Sequence, residues 1–157
     1  MASDDGVNWE YLSDGFAFTD VAYGNNRMVA VNGGGIFTST DGFSWSPLFY
    51  GKNEINHIIY ANDKFVGAGF GFIVSEDGSV WKQIALGYDD SIFDIVFGND
   101  QYFAVSYDWY VFSSSDGYEW TRSDFLSNGI KSITFSGSRR KQYFIHPMTV
   151  ISGLPMQ

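Results

Sequence analysis

The chain has 157 residues, with 18 acidic and 9 basic side chains, a formal net charge of −9 and no cysteine. The missing cysteines exclude a disulfide frame and a thiolate metal site while leaving the redox compartment open, and the acidic balance argues against a nucleic-acid backbone or an anionic membrane as partner. Aromatics at 19% together with 18 glycines describe strands and tight turns rather than helices, in a chain long enough for one domain, residues 1–157, with its own core.

The first recognisable segment is Ser3-Asp4-Asp5-Gly6-Val7-Asn8-Trp9. Residues 18–23 then predict a strand, 24–26 a turn, 27–31 a second strand, 32–35 another turn and 36–38 a third strand. That strand runs into Ser39-Thr40-Asp41-Gly42-Phe43-Ser44-Trp45, the opening segment over again, and residues 45–49 follow as a fourth strand. The plan repeats with strands at 55–60, 64–68 and 72–74, the segment Ser75-Glu76-Asp77-Gly78-Ser79-Val80-Trp81, and a strand at 81–84. A third round has strands at 92–97, 102–105 and 110–112, then Ser114-Ser115-Asp116-Gly117-Tyr118-Glu119-Trp120 and a short strand.

The fourth round has strands at 130–135, 143–145 and 149–152, with a basic turn through Arg139, Arg140 and Lys141, and then stops without the seven-residue segment. Residues 3–12 supply what is missing, so the two ends read as complementary halves of one unit. Trp9, Trp45, Trp81 and Trp120 fall 36, 36 and 39 residues apart, and self-similarity at such a period marks a repeat architecture. The repeats are residues 16–50, 51–87, 88–125, and 126–157 together with 1–15.

The repeated segment has a local physical reading. Its Asp (Asp5, Asp41, Asp77, Asp116) accepts hydrogen bonds from amides just ahead, its Gly (Gly6, Gly42, Gly78, Gly117) takes a positive φ, and its Ser (Ser3, Ser39, Ser75, Ser114) holds the other side of the turn. The Trp four residues after the Asp anchors the re-entering strand in a core. The first strand of each unit is apolar on both faces, which predicts an inner strand sandwiched between sheets, with the later, more alternating strands outside.

Ser-x-Asp-Gly-x-x-Trp segments following an Ile-Phe-x-Ser type of strand resemble, in a variant form, the Asp-box or bacterial-neuraminidase-repeat (BNR) β-propellers. That group includes sialidases, photosystem II assembly factors of the photosynthesis-repeat type and many bacterial and phage proteins. The resemblance spans essentially the whole chain. It implies an all-β propeller of four four-stranded repeats, closed by the N-terminal outer strand pairing with the C-terminal blade. It also implies that the box lies at the hairpin between third and fourth strands, on the rim and away from the axis, as a structural element. Four units close as a four-bladed monomer, or two chains exchange terminal strands in an eight-bladed homodimer.

For chemistry, the sequence offers few groups. Sialidase action needs three arginines converging on a carboxylate, and only Arg27, Arg122, Arg139 and Arg140 exist, all in turn or outer-strand contexts. The third residue of each inner strand, Asp20, His57, Asp94 and Ser132, is expected at equal radius around the axis, in a polar ring at a channel mouth. Two carboxylates and an imidazole suit a divalent cation, calcium or magnesium by oxygen ligation and zinc through the histidine; the alternative is that the four side chains cap neighbouring backbone amides or line a water-filled channel. Tyr88, Asp89 and Asp90 lead into the third blade, and Tyr107-Asp108-Trp109 stands where the other repeats have glycines. Such an aromatic and acidic rim suits a sugar face, an amine or a basic peptide, while Trp109 alternatively fills the void left by the glycines.

The expected function is a non-catalytic binding or scaffolding propeller for a protein or small ligand at its axial face. Alternatives are a glycan-binding or glycoside-hydrolysing Asp-box protein, and a structural component of a phage or bacterial assembly. No apolar run approaches the roughly 18 residues of a membrane span and no leader pattern is present, which predicts a soluble protein, cytoplasmic or phage-associated.

Overall fold

A computed structural model describes residues 1, 3, 5–11, 15–50, 54–87, 90–123, 132–136, 142–146 and 149–151. Strands form four antiparallel sheets, each running in sequence order. The first holds β1 (Asp20–Gly24), β2 (Arg27–Val31), β3 (Gly35–Ser39) and β4 (Ser46–Tyr50). The second holds β5 (His57–Ala61), β6 (Lys64–Gly69), β7 (Gly71–Ser75) and β8 (Lys82–Ile84). The third holds β9 (Ile92–Gly98), β10 (Gln101–Ser106), β11 (Val111–Ser114) and β12 (Thr121–Arg122). The fourth has β13 (Ser132–Ser136), β14 (Gln142–His146) and β15 (Thr149–Ile151) among the described residues. The first strands β1, β5, β9 and β13 pack side by side in that order, so the sheets are blades around an axis and fit a four-bladed propeller.

The register is the same in every blade. Asp20 pairs with Val31, His57 with Ala68, Asp94 with Val105 and Ser132 with His146. In the first three blades the cause is a shared hairpin turn between first and second strands. Asn25 and Asn26, Asn62 and Asp63, and Asn99 and Asp100 all hold positive φ of 48–60°. Two successive left-handed residues make the primed turn whose twist matches flanking strands, and Asn and Asp are the non-glycine residues that tolerate it.

The burial pattern corrects one expectation. Inner strand β1 leaves Val21 54% and Tyr23 62% exposed, whereas β3 is buried throughout and β6 and β10 are buried from their second residue onward. The middle strands, not the first, are sandwiched. An inner strand has only one neighbour in its own sheet and its other edge faces the axis, while middle strands are covered on both faces by the adjacent blades.

Two repeated contacts join the blades. The ring of Tyr60 lies directly on Gly24, and that of Phe135 on Gly98, with no room for a Cβ at either glycine. The box glycine of one blade packs on the second strand of the blade before it: a Cβ at Gly78 would come within 2.8 Å of Arg27, and one at Gly117 within 3.3 Å of Val66. Across the same seam Lys64 Nζ donates to the Asp116 carbonyl at 3.0 Å, and the buried Tyr102 hydroxyl donates to the Ala61 carbonyl at 2.6 Å.

The box itself is a self-contained turn, built the same way four times. The Gly42 amide donates to Ser39 Oγ at 2.8 Å, that hydroxyl donates to Asp41 Oδ1 at 2.9 Å, and the amides of Phe43 and Ser44 donate to the same carboxylate oxygen at 2.8 Å. The amides of Val7 and Asn8, Ser79 and Val80, and Tyr118 and Glu119 do likewise to Asp5, Asp77 and Asp116. Boxes lie between β3 and β4, β7 and β8, and β11 and β12, as the hairpin reading requires. Trp45 and Trp120 also return their indole N–H to the carbonyls of Gly42 and Gly117, at 3.1 and 2.9 Å. Trp81 departs from this, its indole nitrogen buried without an acceptor.

These amide donors hold all four box carboxyls below the ordinary value of 3.8. A carboxyl with a lowered folded value stabilises the fold above its unfolded value, and that contribution is lost as pH falls through the folded one. Stability in urea is therefore expected to be level between about pH 5 and 7 and to fall below about pH 4. Asp77→Asn should start lower and fall less steeply; an unchanged acid slope in that variant would show that the boxes do not set it.

Candidate functional site

Antiparallel alternation sorts the chain into two ends. One end carries the Asn-rich hairpins and the boxes. The other carries the starts of β1, β5, β9 and β13 together with the loops joining second to third strands. Both groups of candidate residues, the polar ring and the Tyr107 to Trp109 turn, fall at this second end.

The ring residues begin or nearly begin the four inner strands at one register position, and two of them act across blades. Asp20 accepts hydrogen bonds from its neighbour Val21 N–H at 2.8 Å and from Ile58 N–H of the second blade at 3.0 Å. Asp94 repeats this, with Ile95 N–H at 2.9 Å and Ile133 N–H of the fourth blade at 3.0 Å. Each carboxylate thus caps an amide of its own strand and one of the next blade, and so ties the two blades together.

His57 Nδ1 stands 3.9 Å from Asp20 Oδ2, both side chains about one-third exposed. Ser132 is exposed. Among the described residues no three of His, Asp and Glu gather as a metal would require.

The rim residues part company. Tyr88 and Asp89 lie outside the described residues. Asp90 is buried, 4% exposed, and pairs with Arg122 Nη1 at 3.2 Å, so it is a structural ion pair and not a rim group. Arg122 also lies over the Tyr110 ring at 4.2 Å. Of the remaining arginines, Arg27 donates to Thr38 Oγ1 at 3.1 Å within the first blade, and Arg139 and Arg140 are outside the described residues.

Tyr107, Asp108 and Trp109 are all exposed. The Tyr107 ring stacks on Phe93 at 3.4 Å between centroids. Trp109 has φ 64°, in the left-handed region, where the corresponding loops of the first two blades place Gly33 at 78° and Gly71 at 81°. A bulky side chain there is uncommon and costs backbone strain. Sequence inspection shows the missing glycines, but not that the tryptophan inherits their backbone conformation.

The loops at this end are tied down. Gly33 N–H donates to the Ile55 carbonyl at 2.9 Å, Phe70 bridges to Ser91, and Tyr107 N–H donates to the Ser91 carbonyl at 2.9 Å. Beside the ring, a groove of about 770 Å³ runs along the first blade, lined by Phe16, Phe18, Asp20, Phe43 and Trp45 and by Tyr11 of the N-terminal segment.

Neither a family model nor a curated protein matches this sequence. Solved structures do. The computationally designed Ika4 protein superposes with a TM-score of 0.67 at 15% identity, over 92% of this chain and 97% of that one. YCF48 bound to D1 peptide superposes at 0.63 and 16% identity, over 85% of this chain, and virginiamycin B lyase from Staphylococcus aureus at 0.66 and 9%, over 84%. This chain covers 47% of YCF48 and 53% of the lyase, about half the length of each. The shared fold is the β-propeller. At these identities the likeness concerns the fold alone, on which peptide binding and lyase chemistry both occur.

No helix among the described residues is long and apolar enough to cross a membrane.

Proposed function

We propose that this propeller is a non-catalytic binding module that receives an extended protein segment with basic side chains on the end holding Asp20, His57, Asp94 and the Tyr107 to Trp109 turn. The observation that carries this reading is that the exposed Tyr107 and Trp109 rings and the exposed Asp108 carboxylate share one loop at the end where the partly exposed Asp20 and Asp94 add charge around the axis. Binding residues on loops held by a rigid scaffold lose little entropy when a partner docks. The carboxylates of Asp20 and Asp94 are engaged by amides, so they shape the face and supply its charge rather than proton chemistry. A propeller of the same fold holding a peptide, YCF48 with D1, supports the partner class.

The test is a backbone-amide and indole NMR titration with N-acetylated Gly-Ser decapeptides carrying three lysines or three glutamates. The lysine peptide should shift amides near His57, Asn32 and Trp109 and leave the Trp45 and Trp120 indoles, at the box end, in place. Binding should weaken as salt rises from 50 to 300 mM, since exposed charges are screened within about 8–10 Å at 0.1–0.15 M. Shifts confined to the box end, or equal response to the glutamate peptide, would refute the assignment.

A further inference from the structure

Resting on that reading, we infer that Trp109 is its anchor: the indole of Trp109, with the Tyr107 ring and the Asp108 carboxylate, receives one lysine or arginine side chain of the bound segment. Three independent features lead there. First, the loop joining second to third strand holds one left-handed residue in each of the first three blades, a glycine in two of them (Gly33, Gly71) and, in a longer loop, Trp109 at φ 64° in the third. A side chain that merely filled space would not need the one backbone position glycine suits better.

Second, the turn is built to hold that conformation. Trp109 N–H donates to the Ser106 carbonyl at 3.0 Å, Ser106 N–H to the Tyr110 carbonyl at 3.0 Å, and Tyr110 N–H to Ser106 Oγ at 3.2 Å, with Ser106 itself fully buried. Tyr107 is pinned by its stack on Phe93 and by its amide bond to Ser91. The Trp109 backbone and the Tyr107 ring are thus fixed in place before a ligand arrives. Even so, Tyr107 remains 56% and Trp109 39% exposed.

Third, the same turn already holds a guanidinium on its inner side. Arg122 lies over the Tyr110 ring and pairs with the Asp90 carboxylate, an aromatic face with an acidic partner. Tyr107, Asp108 and Trp109 put the same residue types, all exposed, on the adjoining turn. A cation over a tryptophan face with a carboxylate nearby is the arrangement that favours Lys and Arg over an apolar chain of equal length.

The experiment compares wild type, Trp109→Gly, Trp109→Asn and Asp108→Asn, measuring Tm and affinity for Gly-Ser decapeptides with three lysines, arginines or norleucines. Both Trp109 variants should hold Tm within about 2 °C, because relief of left-handed strain offsets lost indole contacts. They should weaken lysine and arginine peptides on the order of tenfold, and Asp108→Asn should weaken them several-fold without touching norleucine binding. A large fall in Tm in both Trp109 variants would make the residue a void filler and overturn the inference. Unchanged affinity in those variants, with the axial amides still shifted by the lysine peptide, would overturn the anchor while leaving the binding face intact. No axial shift in wild type would overturn the face itself.

Discussion

Replacing Trp120 with alanine is expected to lower stability by about 3–5 kcal/mol in urea unfolding. Its ring stacks on Phe72 of the preceding blade at 3.7 Å and 3°, it lies 6.2 Å from Tyr102, and its indole N–H closes the box on the Gly117 carbonyl. The substitution removes core volume, a stacked pair and a turn hydrogen bond at a seam between two blades. The matching residue of the N-terminal box is the internal control. Trp9 is 59% exposed and a Cβ on Gly6 would meet nothing, so Trp9→Ala should cost less than about 1 kcal/mol. Equal costs would mean that the position of the Trp in the repeat, and not its packing, determines its contribution.

Arg122→Ala is the second large change, at about 3 kcal/mol, because it strands a buried carboxylate. Asp90 is 4% exposed and its bond to Arg122 at 3.2 Å spans 32 residues of sequence, holding the loop that enters the third blade against that blade's outer strand. The penalty belongs mainly to the abandoned charge. Combining Arg122→Ala with Asp90→Asn should therefore recover part of the loss, whereas a double variant as unstable as the sum of both single ones would show that the two groups act separately. The Tyr107 to Trp109 turn adjoins this pair, so the single variant should also weaken the lysine-peptide response.

Much of the architecture was legible from residue order. Four copies of one seven-residue turn, three Asn-Asn or Asn-Asp hairpins and short strands between them lead directly to four antiparallel blades. That worked because each box hydrogen-bonds within itself: Ser39, Asp41 and the amides of Gly42, Phe43 and Ser44 complete one another within six residues. Local chemistry of this kind reads the same in isolation as in the fold.

Contacts across blades did not read that way. Residue order leaves the role of Asp20 and Asp94 open between a cation and an amide, and only the third dimension places Ile58 N–H and Ile133 N–H, 38 and 39 residues away, on their carboxylates. Asp90 looked like an exposed acid until Arg122 was brought to it. Middle strands such as β6 and β10, not the first strands, are the most buried, since burial of a strand depends on which neighbouring blade covers it and not on its own alternation. The left-handed backbone of Trp109 likewise depends on Ser106 and Tyr110 closing a turn around it. Residue order thus specified the repeating unit through short-range hydrogen bonds, and the packing of one unit on the next assigned the individual roles, because those roles are defined by groups that meet only when the ring forms.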